Sequence, residues 1–216
     1  MKFKSVTITF LLFSFLISAA QESEAWKLLK DEDGIQVYSK PDIYSDMKII
    51  KAETVAKTTL STLITLIRDA ENHQNWVFNC THAEILELID STDWYYYAQT
   101  DAPWPVSDRD VVTKVTFYQD KDTKTVTFKS TGVPDYIPQK PGYIRIPETE
   151  SYWIFEPLDN RKINIIFKLK INLGGSIPQW LTNMVIAKGP YNTIRNMLFE
   201  IEKPRYKYAY CEFIEE

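Results

Sequence analysis

Arg109 lies in an ionic cluster that directly follows a rigid aromatic turn. Residues 103–112 read Pro-Trp-Pro-Val-Ser-Asp-Arg-Asp-Val-Val. Each proline fixes its own φ and drives the preceding residue toward an extended conformation, so Trp104 is held on a stiff loop. Two interpretations of the guanidinium are open. It is either paired locally with Asp108 and Asp110, or it turns into an interior cavity and meets a polar group of a ligand.

The sequence contains none of the common catalytic motifs. It has no Gly-x-Ser-x-Gly nucleophile elbow, no phosphate-binding loop, no paired-histidine zinc helix and no dinucleotide fingerprint. His73, Cys80 and His82 lie close in sequence, but their spacing matches no recognised zinc site and no fourth ligand is evident. The chain has two histidines, so histidine-based acid–base catalysis has few candidates. We therefore predict no catalytic residue, no metal site and no cofactor.

Aromatic side chains make up 14% of the chain and concentrate on segments predicted as strands. Residues 94–97 read Trp-Tyr-Tyr-Tyr, and residues 152–155 read Tyr-Trp-Ile-Phe. Strands favour aromatic residues, so each one taken singly is best explained as part of an ordinary core. Together with a curved sheet whose concave face one helix would not fill, they favour an apolar interior that suits a lipid-sized ligand.

Hydrophobic periodicity defines the elements that must position these residues. Residues 23–30 predict a short amphipathic helix with Trp26 and Leu29 on its inner side, and Asp33-Gly34 predicts a turn. Residues 58–69 predict a core-facing helix capped by Thr58 or Thr59. Strands are predicted at residues 35–39, 47–56, 83–90, 94–100, 109–118, 125–130, 151–156 and 162–173. The short polar links between the later strands imply antiparallel neighbours.

The C-terminal third contains one long helical pattern. Residues 132–147 precede it and contain four prolines, which predicts a long surface loop. Apolar residues then recur at helical spacing from Pro178 to about Lys203. Gly189-Pro190 interrupts this pattern, because proline removes a backbone donor and costs about 3 kcal/mol in an unbent helix. We expect a kink near Lys188 or two helices. The predicted fold class is α+β.

Residues 1–20 have the pattern of a secretory signal peptide cut after Ala20. From length and composition, we predict that residues 21–216 form one domain. The apolar segment, residues 5–20, is shorter than the roughly 20 residues of a membrane-spanning helix, which argues against the alternative of an uncleaved anchor. We therefore predict a secreted or periplasmic protein. Cleavage lowers the basic residues from 25 to 23, against 29 acidic ones. The resulting net charge of −6 argues against a nucleic-acid partner but is compatible with transient membrane contact.

Cys80 and Cys211 are the two cysteines of the chain. In an oxidising compartment they could form one disulfide between the middle of the chain and its tail, or stay as two unpaired thiols.

Five features in order resemble the START (StAR-related lipid-transfer) domains of the helix-grip superfamily. They are residues 26–38, a helix ending near Asn75-Trp76, residues 103–112, residues 152–157 and residues 173–180. The resemblance covers nearly all of residues 22–203. It implies a curved antiparallel sheet wrapped around a long C-terminal helix, with a tunnel between them for one sterol, phospholipid or other hydrophobic molecule. It also implies that the loop at residues 103–108 and the C-terminal helix form the tunnel entrance.

Some sterol-binding members of this family hold a buried acid–arginine pair in the tunnel. This chain offers Tyr96 and Val115 at the matching positions, and Asn172 stands where many members have aspartate. The resemblance therefore implies a hydrophobic ligand without indicating a sterol in particular. Cyclases and aromatases of the same superfamily provide an enzymatic alternative.

We predict that residues 21–216 bind, and transfer between membranes, a lipid or other hydrophobic small molecule. The alternatives are a cyclase- or hydrolase-like enzyme with Arg109, Tyr96 or an acid as proton donor, and an interaction module with a filled core. The sequence makes no prediction about the oligomeric state. The predicted ligand-binding residues are Trp76, Trp94, Tyr96, Trp104, Arg109, Trp153, Phe155, Phe167, Trp180, Met184 and Tyr191.

Overall fold

The computed structural model describes residues 26–45 and 47–216. Within the C-terminal helix, Gln179–Glu200, it describes the backbone but not the side chains of Gln179, Leu181, Asn183, Met184, Val185 and Ala187. The predicted signal peptide, residues 1–20, lies outside the described residues. No helix in the described part of the chain is long and apolar enough to cross a membrane.

In the described part of the chain, ten strands form one open, curved sheet, and the helices follow its third and tenth strands. The strands are β1 (Lys27–Glu32), β2 (Ile35–Pro41), β3 (Lys48–Lys57), β4 (Cys80–Leu88), β5 (Asp93–Thr100), β6 (Asp108–Gln119), β7 (Val126–Gly132), β8 (Tyr143–Arg145), β9 (Glu148–Leu158) and β10 (Lys162–Asn172). Their order in the sheet is β1-β2-β3-β10-β9-β7-β6-β5-β4, with β8 parallel to β6 and the other pairs antiparallel. The helices are α1 (Leu60–Arg68), α2 (Gln179–Glu200) and α3 (Pro204–Lys207), with 3₁₀ turns at Ala70–Asn75 and Asp159–Arg161.

Most predicted elements are confirmed, with ends shifted by a few residues. The helix predicted at residues 58–69 is α1, and Thr59 is its N-cap. The Thr59 hydroxyl accepts a hydrogen bond from the backbone N–H of Thr62 at 3.1 Å. This bond satisfies one of the donors that a helix N-terminus leaves without an intrahelical partner.

The helix predicted at residues 23–30 is wrong over its described part, since residues 27–30 belong to strand β1. β1 pairs with β2 through the turn at Asp33 and Gly34, whose φ angles of 53° and 73° suit a tight hairpin. An eight-residue helix is marginal in water, whereas β2 offers main-chain partners at once. The pairing with β2 therefore overrides the helical periodicity, and Leu28 is left about half exposed.

Residues 132–147 are less irregular than the prolines predict. Residues 143–145 form β8, which pairs with residues 108–110 at the start of β6. β7 pairs with β6 only from Thr113 onward, so the first residues of β6 have main-chain groups that β8 can use. The backbone N–H of Ile146 extends this contact by donating to the Asp110 carbonyl at 2.9 Å.

The C-terminal helix is continuous through Gly189-Pro190, so the alternative of two helices is wrong. α2 packs against β2 and β3, and its Ile194 is fully buried there. Met197, one turn later, is fully buried in the main core, the apolar cluster that includes Leu63 of α1, Phe128 of β7 and Phe155 of β9. These contacts hold the C-terminal half of α2 against the core and so determine the position of the helix relative to the sheet.

Candidate functional site

A cavity of about 290 Å³ lies between the concave face of the sheet and α2. Every second residue of a strand faces the same side, and the lining follows this rule. Its strand residues include 94, 96, 98 and 100 of β5, 109, 111, 113 and 115 of β6, 128 and 130 of β7, 149, 151 and 153 of β9, and 167, 169 and 171 of β10. Gly189, Pro190 and Thr193 of α2 complete the opposite wall. The lining is mostly apolar, and the volume is at the lower end of the about 300–1,000 Å³ typical of small-molecule pockets.

Six of the predicted ligand-binding residues line this cavity. They are Trp76, Trp94, Tyr96, Arg109, Trp153 and Phe167. Three of their rings are in contact: Trp153 stacks on Phe167 with centroids 4.4 Å apart and meets the edge of Trp76 at 5.8 Å. Alternation along the strands brings five of these residues to the same face of the sheet, whereas Trp76 directly follows the 3₁₀ turn at Ala70–Asn75.

The remaining predicted residues lie elsewhere. Phe155 continues the Trp153 row of β9 but is fully buried in the main core, and Tyr191 is buried against β2 and β3. The Tyr191 hydroxyl donates to Asp33 Oδ2 at 2.7 Å. Trp104 is 90% exposed and Trp180 is 50% exposed, so both rings face outward. The side chain of Met184 lies outside the described part of the chain.

Arg109 is 4% exposed, and its side chain faces the cavity. Its donors reach backbone carbonyls: Nε donates to Leu173 at 3.4 Å, Nη2 to Gly174 at 3.5 Å, and Nη1 to Ser107. Leu173 belongs to the segment before α2, and Ser107 to the loop after β5. Arg109 therefore joins two segments that both contribute to the cavity wall. Burial lowers the pKa of Arg109, and the charge of Asp108 opposes this shift.

The interpretation that Arg109 pairs with Asp108 and Asp110 is wrong, since in the described part of the chain both carboxylates have other partners. Asp108 accepts a hydrogen bond from the backbone N–H of Ala102 at 2.9 Å. Asp110 points to the other face of β6 and pairs with Arg145. Alternation along the strand separates neighbours that the sequence places together.

Tyr96 forms a hydrogen bond that sequence reasoning missed. Its hydroxyl lies 2.8 Å from His73 Nδ1, while His73 Nε2 lies 2.9 Å from the Ile67 carbonyl. Because a carbonyl only accepts, Nε2 carries the proton, and the Tyr96 hydroxyl donates to Nδ1. Burial lowers the pKa of His73 to about 4, so the imidazole is neutral at pH 7. The sequence signal was the spacing of His73 and Trp76, which places both rings on one side of a 3₁₀ turn.

The two cysteines are free thiols, so the disulfide alternative is not realised. Cys80 lines the cavity, and burial raises the pKa of its thiol to about 11. Cys211 lies against α1, where its backbone N–H donates to the Ser61 hydroxyl at 3.2 Å. In the described part of the chain, no group of three or more histidine, cysteine, aspartate or glutamate side chains is placed to hold a metal ion.

Comparison with known proteins finds relatives over most of the chain. Residues 14–204 match the model of the START domain family. An uncharacterized protein of Pseudomonas aeruginosa is 33% identical over 181 residues, which are 84% of this chain and 89% of the relative. The phosphatidylcholine transfer protein of Bos taurus is 25% identical over 184 residues, covering 83% and 85% of the two chains. The crystal structure of a STAR-related lipid transfer protein from Xanthomonas axonopodis superposes with a TM-score of 0.76 at 30% identity, covering 82% of this chain and 99% of the other.

Proposed function

Because this chain belongs to the START domain family, we propose that it binds one lipid or other hydrophobic molecule in its cavity and exchanges that molecule at membranes. Its relatives include lipid transfer proteins. The observation that carries the proposal is the mostly apolar cavity between the sheet and α2. Removing apolar ligand surface from water contributes about 25 cal/mol per Å², so burying a few hundred Å² stabilises the complex by several kcal/mol.

We place the mouth of the cavity between the loop at residues 101–107 and the segment before α2. Asp101, Ala102 and Pro103 line this end of the cavity, as does Leu173. Arg109 connects the two segments through hydrogen bonds to backbone carbonyls. Gly174 and Gly175 adopt φ angles of 66° and 65°, a conformation that glycine adopts without strain. Passage of a ligand requires these segments to separate.

The exposed tryptophans support membrane contact at this end. Trp104 directly follows the lining residue Pro103, and Trp180 lies in the first turn of α2. Tryptophan suits the boundary between water and lipid because its large apolar ring carries one polar N–H. The net charge of −6 expected for the mature chain, 23 basic against 29 acidic residues, favours a zwitterionic rather than an anionic lipid surface.

The enzymatic alternative finds little support among the described ionisable groups that are buried in the cavity wall. Both ring nitrogens of His73 are engaged in hydrogen bonds, and Tyr96 is one of its partners. The Cys80 thiol has a raised pKa and is not a nucleophile near neutral pH. The Arg109 guanidinium donates hydrogen bonds to the backbone carbonyls of Leu173 and Gly174. General acid–base chemistry needs a group that titrates near the working pH and reaches the substrate, and we propose binding without catalysis.

We also propose that the protein acts after export, as residues 1–20 suggest. The mature chain would begin at Gln21. Mass measurement of the protein recovered from the periplasm or the medium tests this proposal. A chain that retains residues 1–20 in these fractions would contradict it.

The binding proposal is tested by native mass spectrometry of the mature protein, followed by extraction and identification of any bound lipid. Ser151→Trp places an indole inside the cavity, because Ser151 is part of its lining. Tyr152→Trp is the matched control on the other face of β9. We expect bound lipid with the wild type and the control, and a loss of at least about tenfold with Ser151→Trp. Equal occupancy of both variants would show that the cavity is not the binding site.

A further inference from the structure

Two buried polar atoms in the cavity wall have no hydrogen-bond partner among the described residues. They are Trp76 Nε1 and Thr113 Oγ1. Trp76 is 1% exposed and Thr113 is 5% exposed, and both residues line the cavity. Folding normally pairs buried polar groups, because each one left unpaired is destabilising. Two such atoms at one cavity point to a ligand that pairs with them.

Trp76 and Thr113 belong to one continuous group of side chains. Thr113 on β6 is the direct cross-strand partner of Tyr96 on β5, and both side chains face the cavity. Tyr96 is hydrogen-bonded to His73, whose ring centroid lies 5.1 Å from that of Trp76. We name these four residues, His73, Trp76, Tyr96 and Thr113, the inner polar patch.

The inner polar patch offers donors and acceptors but no formal charge. Trp76 offers an N–H, and the Thr113 hydroxyl both donates and accepts. The Tyr96 proton is directed at His73, which leaves the Tyr96 oxygen able to accept. Burial keeps the His73 ring neutral and raises the pKa of Tyr96, so neither carries charge at pH 7.

Arg109, the cationic residue of the described cavity wall, is distant from the inner polar patch. Arg109 precedes Thr113 by four residues on β6, which corresponds to about 13 Å along the strand. Its guanidinium donates to the backbone carbonyls of Leu173 and Gly174. A phosphate or carboxylate at the patch would lose its hydration without a compensating charge, which is strongly unfavourable. A neutral oxygen loses less hydration free energy on burial, and hydrogen bonds from the patch replace those that it made to water.

We infer that the inner polar patch binds a neutral oxygen group, a hydroxyl or a carbonyl, carried by the otherwise apolar ligand. Trp76 Nε1 and the Thr113 hydroxyl donate to this oxygen, and a ligand hydroxyl donates in return to Tyr96. The inference rests on the proposed function, since it specifies which apolar molecules the cavity prefers. The charged headgroup of a phospholipid does not fit this inner position.

Three probes with the same ten-carbon chain test the inference: decane, 1-decanol and decyl phosphate. Their dissociation constants are measured with delipidated mature wild type and with Thr113→Val. Valine has the shape of threonine but lacks the hydroxyl. Because the hydroxyl is unpaired in the free protein, we expect Thr113→Val to fold with an unchanged or higher unfolding midpoint. We expect this variant to bind 1-decanol about fivefold more weakly, relative to its binding of decane, which is the effect of one net hydrogen bond.

Thr131→Val is the matched control, because Thr131 is exposed on β7. It should leave all three dissociation constants unchanged. The inference is overturned if Thr113→Val weakens 1-decanol no more than decane, or if the wild type binds decyl phosphate more tightly than 1-decanol. These results would leave the proposed function intact. If the wild type bound none of the probes and carried no extracted lipid, the proposed function itself would fail.

Discussion

Arg145 and Asp110 form a bidentate ion pair at the start of β6. Arg145 Nε and Nη2 each lie 2.9 Å from one carboxylate oxygen of Asp110, whose side chain is fully buried. Hydrogen bonding to this carboxylate raises the pKa of Arg145. The remaining guanidinium donor Nη1 reaches the carbonyls of Pro134 and Ile137. One side chain thus ties the proline-rich segment at residues 132–147 to the strand that carries Arg109.

Replacing Arg145 should therefore be costly. Arg145→Leu leaves the buried Asp110 carboxylate with the Tyr97 hydroxyl at 3.3 Å as its remaining side-chain partner among the described residues. We expect the free energy of unfolding, measured with urea, to fall by about 3–5 kcal/mol. The double variant Asp110→Leu/Arg145→Leu should lose less, because no charge stays unpaired. Arg161→Leu, at an exposed turn, is the control, and an equal loss in this variant would contradict the prediction.

His73 should make stability fall in mild acid. Its pKa is about 4 in the folded protein, below the ordinary value of 6.5, because of burial. As the pH falls below about 6.5, the unfolded chain takes up a proton that the folded protein does not, so stability decreases until the pH reaches about 4. The loss amounts to about 3 kcal/mol. His73→Gln should remove this component from urea unfolding measured between pH 4 and 7, and an identical pH profile in both proteins would refute it.

Glu216 should stabilise α1 from the far end of the chain. Its carboxylate accepts hydrogen bonds from the backbone N–H groups of Leu60 and Ser61 at 2.8 and 2.9 Å. A negative charge at a helix N-terminus is favourable, and α1 has no acidic residue in its first turn. Glu216→Gln should lower the free energy of unfolding by about 0.5–1 kcal/mol at low salt and by less at high salt. Glu212→Gln, on the same tail, should have no effect. A similar loss in both variants would exclude a specific contact.

Trp104 should matter for membranes rather than for folding. Because its ring is 90% exposed, Trp104→Ala should leave the thermal unfolding midpoint unchanged. It should weaken binding to phosphatidylcholine vesicles, and slow lipid exchange between them, by severalfold. Phe199→Ala is the control, since Phe199 is exposed about 28 Å from Trp180 along α2. Unchanged exchange with Trp104→Ala would remove this residue from the proposed mouth.

The sequence predicted the sheet well because alternation along a strand is a local property. β5, β6 and β10 follow from it, and so does the set of aromatic residues on their inner face. α1 was equally predictable, since Thr59 and the apolar spacing are local signals. In each case, the residues that define the element lie within about ten positions of one another.

Interactions between distant residues were not predictable in this way. β1 is a strand because β2 pairs with it, although its own periodicity favours a helix. Arg145 is hydrogen-bonded to Asp110, 35 positions earlier in the chain, and Tyr96 to His73, 23 positions earlier. The sequence also did not predict that the Trp104 side chain, in the loop after β5, is exposed. Such contacts depend on the assembled sheet, which no local pattern encodes.

The open sheet ends in two edge strands, and both are irregular. The pairing of β1 shifts register between Leu28 and Lys30, and that of β4 shifts twice, next to Cys80 and after Ile85. Bulges of this kind twist an edge and interrupt its row of free main-chain groups, and charged side chains such as Lys27 and Glu84 add to the effect. These register shifts and charges oppose the extension of either edge by a second sheet. A cavity fold that never closes its sheet is in this way protected against edge-to-edge aggregation.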